Sequence, residues 1–175
     1  MKNLVVVIAF LMISTFSFAQ GSFDKFEDKE GVASVVVNKK MFEMMSKVKV
    51  DAKDKETQQY MNLLKKLDNL KVFTTSNTKI SSDMKATVNS YLKSNPLEEL
   101  MRVNGDGKNV KIYVKSGANE NIVRELLMFI EGSNMKDAGT VVLSLTGNFS
   151  LDEISMLTEK MSLPGGDDLK KASKK

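Results

Sequence analysis

Three methionines carry the most suggestive spacing in this chain. Met41, Met44 and Met45 lie at i, i+3 and i+4, so on a helix their thioethers share one face. Thioethers are soft ligands and suit Cu(I). Met also fills irregular gaps in apolar cores, and the chain uses 12 of them. Core packing is therefore the expectation for the trio, with Met-based Cu(I) binding as the alternative. Three acidic pairs, Glu98-Glu99, Asp152-Glu153 and Asp167-Asp168, could each in principle supply a general acid and a general base. Asp152 and Glu153 follow Ser150 at capping-box spacing, which already explains them. Asp167-Asp168 follows the Gly165-Gly166 turn, and all three pairs read as solvated surface. Asn104-Gly105-Asp106-Gly107 has the start of a calcium loop. Lys108 and Lys115, however, stand where that loop needs oxygen ligands, so the tetrad reads as a hairpin turn.

Missing residue types restrict the chemistry further. The chain has no His, no Cys and no Trp. That removes Ser-His and Cys-His catalysis, the usual zinc sites, haem and iron–sulfur ligation, and the best stacking platform for a sugar. Carboxylates, Lys, Tyr and hydroxyls remain. They leave room for a carboxylate-dependent hydrolase of cell-envelope glycan, although no catalytic, cofactor-binding or metal-ligating residue stands out. The expectation is a protein that is not an enzyme and holds no cofactor. Lys170, Lys171, Lys174 and Lys175 could attract an anionic membrane surface, but no apolar anchor accompanies them, and they read as a solubilising tail. The formal net charge of +4 is too mild for a dedicated nucleic-acid binder.

The N-terminus says where such a protein works. Lys2 precedes an apolar run from Leu4 to Phe18, and Ser17-Phe18-Ala19 sets small residues where a signal peptidase cuts. Cleavage between Ala19 and Gln20 is expected, with export to the periplasm or beyond. Residues 1–19 are then a signal peptide, 20–163 one α+β domain and 164–175 a flexible Lys-rich tail. An exported domain without disulfides depends on its hydrophobic core, and the length suffices to build one.

Periodicity supplies the elements. Residues 20–30 read as a polar lead-in whose Phe23 and Phe26 dock locally. Val32 to Val37 is a β-branched strand, followed by a helix over 39–50 and a second helix capped by Asp54. Asn69 to Ser76 and Asn109 to Ser116 are alike in kind and read as strands. Each leads into a helical pattern: residues 82–93, with Ser81 and Ser82 as caps, and residues 119–131, with Ile122, Val123, Leu126, Leu127 and Ile130 apolar. Leu97 to Val103 and Thr140 to Phe149 are the following strands; a short helix after Pro96 is the alternative for the first. Together these spell β-α-β-β-α-β, a ferredoxin-like sandwich with two helices on one sheet face. A last helix runs from Ser150 to Met161 and stops at Pro164.

GVASVVVNKKMFEMM (31–45), LDNLKVFTT (67–75), ELMRVNGDGKNVKIYV (99–114) and LMFIEG (127–132) resemble a family of small exported proteins of Bacteroidota, catalogued as domain of unknown function 4252. The resemblance implies no activity and no site residues. Through the regulatory genes often found beside such proteins, it hints at envelope stress or sigma/anti-sigma signalling. The expected role is binding, with another envelope protein or a second copy as partner and an open sheet face as contact surface. Lys71, Thr74, Lys111, Tyr113 and Lys115 lie on the strands that would form it.

Overall fold

The computed structural model describes residues 21–48, 54–105, 107–119, 121–132 and 139–172. The expected leader and its Ala19–Gln20 junction lie outside them. A 3₁₀ turn, Asp24–Phe26, leads into β1 (Ala33–Asn38), α1 (Lys39–Met45), α2 (Lys55–Leu64), β2 (Leu67–Thr75) and α3 (Thr78–Ser94). Then come β3 (Glu98–Gly105), β4 (Lys108–Ser116), β5 (Val123–Gly132), β6 (Thr140–Phe149), α4 (Leu151–Lys160) and α5 (Gly166–Ala172). The strands form a six-stranded sheet in the order β1-β2-β6-β5-β4-β3, and every neighbouring pair is antiparallel. The fold is thus α+β.

Alternation along β2 builds two cores. Leu70 and Val72 join Leu126, Met128, Ile130, Val141, Leu143 and Leu145 on one face.

 The Val72 side chain thus lies over the same layer as Leu70, beneath α1, α2, α4 and α5. Phe73, Leu127, Phe129 and Val142 point the other way and meet Ile80, Met84, Val88 and Tyr91 of α3, together with Phe23 and Phe26. Among the described residues both faces of the central strands β2, β6 and β5 are therefore covered, and the middle of the sheet has no open face to serve as the contact surface.

That double cover explains the main departure from the expected topology. Residues 119–131 do not form a helix; Val123–Gly132 is the strand β5. Leu126 to Ile130 is buried at every position. A strand covered on both sides shows a continuous apolar run instead of alternation, and over five residues such a run also fits a helix. The second β-α-β unit is thus three consecutive antiparallel strands, and the ferredoxin-like order β-α-β-β-α-β is replaced by β-α-β-β-β-β after the N-terminal β1, α1 and α2. Leu97 to Val103 falls largely within β3, as the turn tetrad implied. Gly105 pairs with Lys108 across a two-residue loop, and Gly107 takes the left-handed conformation at φ 72°.

Local chemistry fixes the helix starts. Asn38 caps α1 by accepting from the Met41 N–H at 3.0 Å, and Asp54 caps α2 by accepting from the Thr57 N–H. On α3 the cap is Asn77, which accepts from Lys79 and Ile80, so Ser81 and Ser82 are not the caps. Ser81 instead hydrogen-bonds Thr140 of β6, and the Ser82 hydroxyl donates to the Thr78 carbonyl. The Ser150–Glu153 capping box opens α4.

Glu153 also holds Lys66 at 2.5 Å, which ties the end of α2 to the start of α4. Burial disfavours its charge, but the hydrogen bonds from Lys66 and the Ser150 N–H outweigh that and hold its carboxyl below the ordinary 4.5. A depressed folded-state pKa contributes stability above the unfolded value and loses it as pH falls through the folded one. Acid titration below about pH 4.5 is expected to cost wild type more stability than Glu153→Gln, measured by urea midpoints at each pH.

The residues read as a flexible tail include α5. Leu169 is buried in the main core, and the buried Asp168 pairs with Lys108 of β4.

Candidate functional site

Polar groups converge at one place on the α3 face. Asn69 of β2, Thr146 of β6 and Glu125 of β5 occupy one row across three adjacent strands, since Asn69 and Glu125 both register against Thr146. Lys71 pairs with Ser144 in the next row. Together with Phe23 and Tyr91 these residues line a cavity of about 150 Å³. The Tyr91 hydroxyl donates to the Glu125 carboxylate, and the Tyr91 ring lies 5.2 Å from that of Phe23.

The electrostatics of this cavity favour fixed structure over chemistry. Burial opposes the charge on Lys71, but hydrogen bonds to Asp24 and Glu27 prevail and hold its pKa above 10.5. Lys71 therefore stays an ammonium and serves neither as a nucleophile nor as a base at neutral pH. Burial, then the bond to Glu125, raises the Tyr91 phenol far above its ordinary value, so it stays protonated. The carboxylates beside Lys71 are engaged in holding it, and Lys25 and Lys29 both reach Asp83 of α3, at 2.7 and 2.9 Å. These ion pairs fasten the N-terminal turn across the sheet and onto α3.

Two buried atoms of the cavity, Asn69 Oδ1 and Thr146 Oγ1, have no protein partner. A buried hydroxyl without a partner costs about 1–3 kcal/mol. Thr146→Val keeps the shape and removes that group, and it is expected to raise the unfolding free energy by about 1 kcal/mol. A loss of stability in urea denaturation would instead show that the hydroxyl is engaged by water or a small ligand.

A different feature lies at the sheet edge. Among the described residues β1 is paired with β2 on one side only, and Ala33 to Asn38 contains no charged residue. Val35 is 46% exposed and Val36 44%. Next to them in sequence, Met41 and Met44 of α1 and the following Val48 are also exposed. The opposite edge differs. β3 carries Glu98, Glu99 and Arg102, and its pairing with β4 shifts register between Glu99 and Met101. Charges and bulges are the usual means of blunting an edge strand, and β1 has neither.

The other sequence candidates separate widely. Met41 and Met44 lie outside the core that was expected to hold them, whereas Met45 packs against it. Among the described residues no group of three or more His, Cys, Asp or Glu side chains could hold a metal ion. Glu99 pairs with Arg102 at 2.5 Å. Asp167 is exposed while Asp168 is buried, so these neighbours do not act as a pair. Lys71, Lys111 and Tyr113 lie on the α3 face, and Thr74, in register with Val141, lies on the other. The Lys170 side chain is exposed; Lys174 and Lys175 lie outside the described residues. The polar row was missed in the sequence because its members come from three strands, one of them read as a helix. The edge was legible as an uncharged β-branched run, but only the strand order shows it to be unpaired.

The model of the domain of unknown function DUF4252 matches residues 26–157. The chain belongs to this family. The match begins at Phe26, in the N-terminal turn, and ends within α4, so it takes in β1 and the whole sheet. No curated protein and no solved structure matches the chain. Among the described residues no helix is long and apolar enough to cross a membrane.

Proposed function

We propose that this DUF4252 protein is an exported, non-catalytic binding protein that takes up a β-strand of another polypeptide along β1. The β1 edge, uncharged and without a second strand partner among the described residues, carries the reading. An edge of this kind offers a row of free backbone donors and acceptors, and Val35 and Val36 supply an apolar contact on each face. Export rests on the leader at residues 1–19. The link to envelope stress or sigma/anti-sigma signalling rests on the family resemblance.

A carboxylate-dependent hydrolase needs two carboxyl groups facing each other across a cleft. Glu125 is bound by Tyr91, and the nearby Asp24 and Glu27 hold Lys71, which supports the non-catalytic reading. Exposure of Met41 and Met44 favours a second reading, Cu(I) capture by two thioethers. Competition against a Cu(I)-specific chromophoric chelator separates the two, and the strand-binding reading expects the chelator to keep the metal.

Site-specific photo-crosslinking in the intact host tests the main proposal. A photoreactive residue at position 36 is expected to give one discrete protein adduct, and one at position 102 on the opposite edge is expected to give none. No adduct from position 36, under conditions that capture a known envelope complex, would overturn it.

A further inference from the structure

Building on that reading, we infer that the strand seated on β1 is β1 of a second copy, paired antiparallel about a two-fold axis. Charge around the strand selects this occupant. Asp28 and Glu30, both exposed, stand just before β1, with the Lys29 between them turned to Asp83 of α3, and Lys39 and Lys40, also exposed, stand just after it. Lys39 is paired with Asp68 at 2.9 Å, so the exposed Lys40 is the cation that faces the acidic end of a partner strand. Antiparallel self-pairing brings the acidic end of each copy to the basic end of the other, and symmetry makes the match twice. Parallel pairing would set like against like.

The apolar part of the strand fits the same operator. A two-fold that reverses an edge strand onto its copy runs perpendicular to the sheet, so each face continues into the same face of the partner. Val35, in register with Val72, then meets Val35 or Val37 of the partner on the α1 face. Val36, in register with Lys71, meets Ser34 or Val36 of the partner on the α3 face. In either register no charge falls opposite another within Ala33–Asn38, and β1 has no bulge to interrupt the ladder. The exposed Met41 and Met44 sit on the helix that follows each strand and extend the apolar surface beside the joint.

Sedimentation velocity on the protein as cells process it tests the inference. Wild type is expected to be a dimer at micromolar concentration. Val36→Lys places like charges near the axis and is expected to weaken association by about tenfold or more, with circular dichroism unchanged and the urea midpoint unchanged at concentrations low enough that both proteins are monomeric. Glu30→Lys and Lys40→Glu should each weaken the dimer, and the double variant should restore it. A monomeric wild type would overturn the inference, as would a dimer indifferent to Val36→Lys or a double variant that fails to recover. The photo-crosslink separates this failure from failure of the broader reading. A monomer that still gives an adduct to a different protein from position 36 loses only the self-pairing, and a monomer that gives no adduct loses both.

Discussion

Phe73→Ala is expected to lower the unfolding free energy by about 3–5 kcal/mol, the range for truncating a buried aromatic residue. Phe73 is fully buried in the middle of β2, in register with Ser34 of β1 and Val142 of β6. Its ring lies 5.9 Å from that of Phe26, so it anchors the N-terminal turn as well as the underside of α3. Truncation opens a cavity between a strand and a long helix that cannot collapse independently. Urea denaturation gives the value, and a loss under about 1 kcal/mol would show that this core is not packed as described. Val36→Lys, at an exposed position of the β1 edge two residues before Asn38, is the matching control and should stay within about 0.5 kcal/mol when both proteins are measured as monomers. The contrast separates the residues that make the fold from those free to make a contact.

Phe73 also shows what could be read from the sequence. Asn69 to Ser76 alternates well enough to declare a strand, because β2 carries polar residues such as Lys71 between its apolar ones. The helix after it was legible for a related reason. Met84, Val88 and Tyr91 recur at helical spacing since α3 buries only one side. β5 gave no such signal: Leu126 to Ile130 is buried throughout, and the apolar pattern no longer reports which way the chain points. One misread strand removed the polar row as well, for Glu125 then belonged to a helix and could not be set beside Asn69 and Thr146. Strand order is a non-local property, and it alone makes β1 an edge. The open face expected for a ferredoxin-like sheet is closed by α3 on one side and by four helices on the other.

The second large effect concerns the C-terminal helix. Asp168 is buried at 7% side-chain exposure, and its carboxylate pairs with Lys108. Composition gave no hint of this, since Leu169 to Lys175 reads as a charged tail with a single large apolar residue. That residue, Leu169, is buried, and Gly165 ahead of it lies so close to β5 that an added Cβ would fall 2.5 Å from Met128 Cε and 2.8 Å from Ile130 Cδ1. Gly165 also takes φ +81°, which a side chain would strain. Removing one partner of a buried ion pair costs about 3–5 kcal/mol when the other charge stays buried. Lys108→Met creates that situation, but here the stranded carboxylate has an escape: α5 can leave the sheet and return Asp168 to water. The expected result is therefore local. Amide hydrogen exchange in α5 should accelerate strongly in Lys108→Met, while β2 and β6 stay protected. Adding Asp168→Leu removes the stranded charge and should restore protection, because an apolar pair of similar volume can replace a buried ion pair without loss. If α5 exchanges equally in wild type and Lys108→Met, the ion pair does not hold it, and Leu169 with the Gly165 turn suffices to keep it docked.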